Sequence, residues 1–268
     1  MDSKKEEYRP PVVLTFSAHD ATGGSGLVAD VEAISSQGCH ACPVVTCLTV
    51  QDSIDVISLI PIDEDIVIQS ARAVLEDMPV AAFKLGLMGS VEVVEAIHSI
   101  LFDYQSIPVI FDPILTSSAG TELADEEIID AIKSLLLPLT DVLTPSLAEA
   151  AALMPEADSA TAMASGLIEY GCGHVLLTAA HSDSQKIVNR LFHNHREIDS
   201  YEWERLPNEY HGSGCTLSAT LSALMAQGLD VLSASREAQH FTWESLKHAR
   251  RLGMGQHFPN RLFWVGEE

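Results

Sequence analysis

The sequence predicts an α/β protein: a three-layer α/β/α sandwich around a mostly parallel central sheet. Three observations predict it. Short apolar, β-branched runs alternate with segments of helical period along almost all of the 268 residues, the connections between them are short, and Gly or Pro marks most of the changes. Runs of that kind read as strands buried on both faces, which a sheet covered by helices on both sides requires. Hydrophobic residues make up 47% and charged residues 20%, enough for a sizeable core and unlike a disordered or fibrous chain. The length fits a single domain over residues 1–268, with residues 1–10 a flexible N-terminal extension.

Each element has a local reason. Residues 11–17 form a compact apolar run, hence a buried strand, and the turn Gly23-Gly24-Ser25-Gly26 follows. Leu27, Val31 and Ile34 recur at helical spacing, and Gly38 ends that helix. Residues 44–50 are rich in β-branched side chains and read as a strand. Residues 53–62 alternate weakly, as a small β-excursion would. A helix is predicted over 64–76, a strand over 80–85, and a helix capped by Ser90 through 100. The strand at 109–111 stops at Asp112-Pro113. Helix 124–137 precedes Pro138, strand 142–144 follows, and Pro145 opens the next helix at its favoured first position. Helix 160–170 has Asp158 or Ser159 as its cap and ends at Gly171. A strand at 175–178, a hairpin over 186–203, and helices at 215–226 and 232–251 complete the pattern; residues 253–268 show none.

The charge limits the partners. Thirty-eight acidic against 15 basic residues give a net charge of -23, which argues against nucleic-acid or anionic-membrane partners. A polyanionic substrate must then be held by local amides or a metal. The apolar runs fall short of the ~20 residues of a membrane span, and residues 1–7 lack the apolar region of a signal peptide. Five cysteines, an odd number, read as reduced thiols in a cytoplasmic protein.

Four places carry candidate chemistry. The segment from His19 to Gly26 joins a strand to a helix, where glycines admit a ligand to the backbone and the helix start attracts anions. It lacks the Gly-Lys-Ser/Thr of a Walker A loop. Gly24-x-Gly26-x-x-Ala29 fits a relaxed dinucleotide fingerprint with Asp52 as ribose partner, and a glycine turn without ligand is an equal alternative. His211-Gly212-Ser213-Gly214-Cys215-Thr216 opens a helix whose apolar face is Leu217, Leu221, Leu224 and Met225. Its small residues make a cradle of backbone N–H groups, an anion hole, and the helix dipole is expected to lower the Cys215 pKa toward thiolate. The bland alternative is a cysteine packed inertly. Asp112-Pro113 lies at a strand's carboxyl end, where open α/β sheets bind ligands, or simply caps a turn. Ser146-x-x-Glu149 reads first as a capping box, and Glu149 alternatively reaches a magnesium through water. Cys39-x-x-Cys42, with Cys47 near, reads as buried structural thiols rather than a zinc site, and His193-Asn194-His195 as surface strand of the hairpin.

Taken in order, these motifs resemble the ribokinase-like superfamily, and within it the hydroxymethylpyrimidine/phosphomethylpyrimidine kinases. The pieces that carry the resemblance are Asp20-x-x-Gly23-Gly24-x-Gly26-x-x-Ala29-Asp30, Val44-Val45-Thr46, Lys84-Leu85-Gly86, Asp112-Pro113, Thr144-Pro145-x-x-x-Glu149-Ala150 and His211 through Ser218; it spans residues 12–264. It implies a ribokinase-like fold and phosphorylation of 4-amino-5-hydroxymethyl-2-methylpyrimidine by ATP with Mg2+, in cytoplasmic thiamine biosynthesis, by a homodimer. Bifunctional members also phosphorylate the monophosphate. The resemblance makes Cys215 the base, beside the amides of Gly212, Ser213 and Gly214. It places Asp20, Gly23, Gly24, Val45, Gln51 and Met88 around the pyrimidine. Asp30, Asp112, Thr144, Glu149 and Thr178 fall in the nucleotide and metal region, with Asp112 and Glu149 on the metal. The chain departs from the pattern at Thr178-Ala179-Ala180-His181, where Lys-Gly-Gly-His is usual, at Ser118, often Lys, and at Ser146, usually Asn. Two phosphate-facing cations and one amide are thereby missing, which bears most on the second phosphorylation. The rival readings are a pyridoxal or pyridoxine kinase, an NAD-dependent oxidoreductase, and a degenerate pyrimidine-binding sensor.

Overall fold

The structure, a computed structural model, describes residues 9–182 and 185–265, without the side chains of 180–182. Of the expected N-terminal extension, residues 1–8 lie outside the described residues. Nine strands form one sheet: β1 (Val12–Asp20), β2 (His40–Gln51), β3 (Val56–Pro61), β4 (Val80–Leu85), β5 (Val109–Phe111), β6 (Val142–Leu143), β7 (His174–Ser182), β8 (Lys186–His193) and β9 (Arg196–Glu204). Their order is β3-β2-β1-β4-β5-β6-β7-β8-β9. The six from β2 to β7 are parallel, and β3, β8 and β9 pair antiparallel at the two ends. β1, β4, β5 and β6 are largely buried apolar strands, which explains their continuous rather than alternating hydrophobicity.

The helices are α1 (Gly26–Ser36), α2 (Glu64–Asp77), α3 (Val91–Asp103), α4 (Glu126–Ala131), α5 (Leu147–Leu153), α6 (Ala160–Glu169), α7 (Ser213–Ala226) and α8 (Val231–Lys247). Two cores result. On one face Leu14, Phe16, Phe83 and Phe111 meet Val93, Ile97 and Leu153 from α3 and α5. On the other, Val13, Ala82 and Ile110 meet Ile34, Leu217, Leu221 and Phe241 from α1, α7 and α8. Each such large side chain, fully buried, contributes about 1.5–3 kcal/mol. Ser90, Ser159, Asp63, Asp125 and Asp230 cap their helices through side-chain oxygens.

Several expected boundaries move, each for a physical reason. The helix predicted over 124–137 is regular only to Ala131. A wider π turn (Ile132–Leu136) and a 3-10 turn (Leu137–Leu139) follow, because Pro138 has no N–H to continue the ladder. Pro145 does not open α5: the capping box puts Ser146 at the cap, and Pro145 precedes it with its carbonyl accepting from Thr178 N at 2.9 Å. α7 begins two residues earlier than predicted. α8 ends at Lys247, and Arg250 instead bridges Phe258. Asn194 and His195 are not strand but a two-residue turn with φ of 48° and 61°. The three clustered cysteines scatter: Cys39 donates to Ala223 O, Cys42 faces Met78, and Cys47 is sealed beneath Gly89.

Candidate active site

A cleft of about 520 Å³ opens at the carboxyl ends of the parallel strands, where the chain reverses from sheet to helix and leaves backbone groups for ligands. β1 contributes Ser17 and Ala18, β2 contributes Thr49 and Gln51, and Asp112 and Thr144 follow β5 and β6. Thr178 of β7 closes one side, and the start of α7 brings Gly212, Ser213, Gly214 and Cys215.

Gly212 adopts φ +84°, which only glycine takes without strain, and caps α7. The first turn of α7 thus points unbonded amides into the cleft. A Cβ on Gly214 would stand 3.4 Å from Asp112 Oδ2, so this backbone faces the Asp112 carboxylate closely. Asp112 is buried, and Ser218 Oγ donates to it at 3.4 Å. Burial pushes the Asp112 carboxyl up to about 7; Lys84 opposes that, and Glu149 adds to it. Glu149 is also raised by burial, although Ser146 N and Oγ donate to its Oε2 at 2.8 and 2.7 Å.

Cys215 overturns the expected thiolate. It is 4% exposed, and desolvation, aided by Asp112 and Asp30, pushes the thiol up to about 12 against Lys84 and the Gly26 backbone. Asp30 is joined to the site by Lys84. It does not line the cleft but lies wholly buried behind it, 2.9 Å from Lys84 Nζ and accepting from Thr15 Oγ1 at 2.6 Å. Burial alone would lower the Lys84 pKa; Asp30, Cys215 and Asp112 outweigh that and raise it. A lysine inside the apolar run of Val80–Leu85 is the sequence signal of such a buried ion pair.

Asp20 also sits outside the lining. It organises the first glycine loop, accepting from Thr22 N and Oγ1 at 2.8 Å, Ser25 N at 2.9 Å and His211 Nε2 at 2.8 Å. Burial pushes its pKa up, and the bonds from His211 and Thr22 hold it well below the usual carboxylate range. His211 lines the cleft, so the two glycine loops meet through this pair. Gly23 and Gly24 do not line it. A Cβ on Gly24 would meet the rings of His211 and Phe258, while Ser25 and Gly26 of the same turn do border the cleft. Asp52, which also borders the cleft, accepts from Ile54 N at 2.7 Å and holds a local turn. Val45 is half-buried away from the cleft, and Met88 packs in the core while Leu87 faces the cleft. Gln51 does line it, with Nε2 donating to Thr49 Oγ1 at 2.6 Å.

Of the departures, Ser118, Ser146 and Thr178 all border the cleft; the His181 side chain lies outside the described residues. The loop carrying Ser118 is pinned by Asp55, which accepts from Ser117 Oγ and Thr121 Oγ1, each at 2.6 Å. Gln256, a buried glutamine, also reaches the cleft, from a C-terminal stretch with no sequence pattern to single it out.

The sequence comparisons agree on one family, and the solved structures include both a member of it and pyridoxal kinases. Residues 20–260 match the family described as phosphomethylpyrimidine kinase. The hydroxymethylpyrimidine/phosphomethylpyrimidine kinase of Escherichia coli (strain K12) is 31% identical over 247 residues, 90% of this chain and 93% of that one. A phosphomethylpyrimidine kinase structure from Clostridium difficile 630 superposes with TM-score 0.75 at 24% identity, over 87% of this chain and 97% of that one. The pyridoxal kinase of Staphylococcus aureus in complex with AMP-PCP and pyridoxal superposes with TM-score 0.83 at 20% identity, over 97% of each chain. At these identities the two structures establish the fold.

Proposed function

The chain belongs to the phosphomethylpyrimidine kinase family, and from that premise we infer that it transfers the terminal phosphoryl group of ATP to the hydroxymethyl oxygen of 4-amino-5-hydroxymethyl-2-methylpyrimidine, a step of thiamine biosynthesis, as a cytoplasmic homodimer. The observation that carries this reading is the amide cradle of residues 212–215, which shares one cleft with Asp112, Glu149 and Cys215.

The chemistry follows from that arrangement. Phosphoryl transfer needs positioning and charge stabilisation more than covalent catalysis. The hydroxyl oxygen attacks phosphorus, the bond to the ADP oxygen breaks, and the hydroxyl proton leaves. Amides at the start of α7 stabilise the charge on the moving group, an effect often worth ~2.7–4 kcal/mol per donor. Cys215, in the same cleft, is assigned the role of taking that proton. Because burial keeps its thiol protonated, that proton must leave before the thiolate can act, and Lys84 is the neighbouring cation that favours its departure. Gln51 offers an amide to the heterocycle.

Asp112 and Glu149 fit a magnesium ion. Both carboxylates face the cleft, burial pushes both toward protonation, and hard oxygen donors suit the ion. When bound, it would neutralise phosphate charge that this acidic chain does not. With Ser118 and Thr178 in place of lysines, the first phosphorylation is the step the cleft supports best.

A coupled ADP-release assay tests the reading. Wild type and Cys215→Ala are compared on the free pyrimidine, its monophosphate and pyridoxal with Mg-ATP. Turnover on the pyrimidine that is lost in the variant is the expected result. Turnover on pyridoxal alone would transfer the reading to the vitamin B6 kinases, and binding without turnover would make the protein a sensor.

A further inference from the structure

Arg261 heads the fully buried side chains of the described residues, yet it comes from a stretch with no sequence pattern. Its guanidinium sits where the two glycine loops touch. Nη2 donates to Gly24 O at 2.5 Å and, at the long end of the range, to Gly212 O at 3.5 Å. Nε donates to Thr216 Oγ1 at 2.9 Å, and Nη1 to Glu32 Oε2 at 3.0 Å. The loops themselves are in backbone contact, since a Cβ on Gly212 would stand within van der Waals overlap of Gly24 O.

These bonds set the direction of the amides. Thr216 donates to Gly212 O through both Oγ1, at 2.8 Å, and N, at 3.0 Å. With Arg261, three donors therefore draw that carbonyl away from the cleft. In a trans peptide the C=O and N–H point in opposite directions, and among the described residues no peptide bond is cis. Holding Gly212 O inward turns the N–H of Ser213 outward, on the side where Ser213 lines the cleft. The same logic holds at the first loop. Arg261 takes Gly24 O, and the following N–H, of Ser25, donates to Asp20 at 2.9 Å, the carboxylate that also binds His211. A planar fork with several fixed donors suits this task; a lysine ammonium, a single point, does not.

We propose that Arg261 is a positioning residue for phosphoryl transfer, fixing the amide cradle of residues 212–215 through the carbonyls of Gly24 and Gly212 without touching substrate. The inference rests on the kinase reading above.

The test measures Arg261→Ala and Arg261→Lys in the full-length protein. Its readouts are kcat, KM for the pyrimidine, the melting temperature, and amide exchange over residues 211–216. A misaimed cradle should lower kcat by about 100-fold, the scale of a ~1 Å misplacement. KM for the pyrimidine should stay within about threefold, since ground-state binding is untouched. Arg261→Lys keeps the charge but not the fork, and should stay close to Arg261→Ala. Exchange over 211–216 should rise at least about tenfold while that of α3 stays unchanged, the signature of a local opening. A folded Arg261→Ala with wild-type kcat overturns the proposal, as does full recovery by lysine or unchanged exchange over 211–216. If Arg261→Ala does not fold, Thr216→Val removes the hydroxyl between Arg261 and Gly212. It should lose kcat in the same pattern, and a wild-type rate overturns the proposal. Wild-type protein inactive on every substrate would sink the kinase reading instead, and the exchange result would still decide what Arg261 holds.

Discussion

Asp112 shows how one residue ties stability to activity. Its carboxyl has an ordinary value of 3.8 when the chain is unfolded and is pushed up to about 7 in the fold. Below 3.8 both states hold the proton. As pH rises from there, the unfolded chain ionises first, so the native state loses stability through the window from 3.8 to about 7, and the loss is complete above it. Asparagine cannot ionise. Asp112→Asn should therefore melt higher than wild type at pH 8, by a margin that shrinks toward pH 4, while phosphoryl transfer disappears. Thermal melts across that range check it, and a variant less stable at pH 8 would refute the desolvation argument. Cys215 yields a second test. A thiol pushed up to about 12 exists as thiolate only in a small fraction near neutrality. The free enzyme's groups govern kcat/KM. For the pyrimidine it should rise about tenfold per pH unit from 7 to 9; a plateau above pH 8 would assign the critical ionisation to Asp112 rather than Cys215.

At the scale of elements, the hairpin of β8 and β9 is the place to gain stability. Its turn needs positive φ at both Asn194 and His195, at 48° and 61°. Asparagine tolerates that region, but a histidine side chain is strained there. His195 is exposed, so His195→Gly should stabilise by up to about 1 kcal/mol, or about 2–4 °C in melting temperature. Scanning calorimetry decides, and an unchanged or lower Tm would show no strain at the turn. The same hairpin marks the limit of reading by sequence. Period and punctuation placed β4 over 80–85 and β5 over 109–111 as observed, because burial on both faces leaves a local apolar signature. Ser90 caps as expected, and of Asp158 and Ser159 it is Ser159 that does; the caps were legible from a polar residue just ahead of a helical run. The Cys215 shift was not, since helix-start logic favours thiolate and only the surrounding fold buries the sulfur. Nor were the pairings of Lys84 with Asp30, or of Arg261 with Gly24 and Gly212, whose partners lie far apart in the chain. Leu87 and Met88 could not be told apart until the backbone after β4 fixed which of them faces the cleft.

The whole molecule presents one sheet edge that asks for a partner. β2 pairs antiparallel with β3, placing Leu48 opposite Ile60, with Val50 two residues along on the same face of the strand. These side chains are 39%, 54% and 50% exposed. Strand edges and apolar faces left open invite association, and the proposed homodimer would cover them here. Two copies each carrying -23 repel one another, so apolar contact must outweigh charge. Salt then strengthens the dimer, because the screening length shortens from about 30 Å at 0.01 M to about 8 Å at 0.15 M. Sedimentation velocity should show twice the chain mass at 0.15 M salt, with dissociation favoured at 0.01 M. Val50→Asp adds a charge to the centre of the face and should yield monomers at both salt concentrations. Gln51, the next residue, lines the cleft, so those monomers should also bind the pyrimidine more weakly. Monomeric wild type at 0.15 M would leave the face without a second copy and end the dimer reading. Monomers of Val50→Asp with unaltered KM would keep the dimer but separate it from the substrate site.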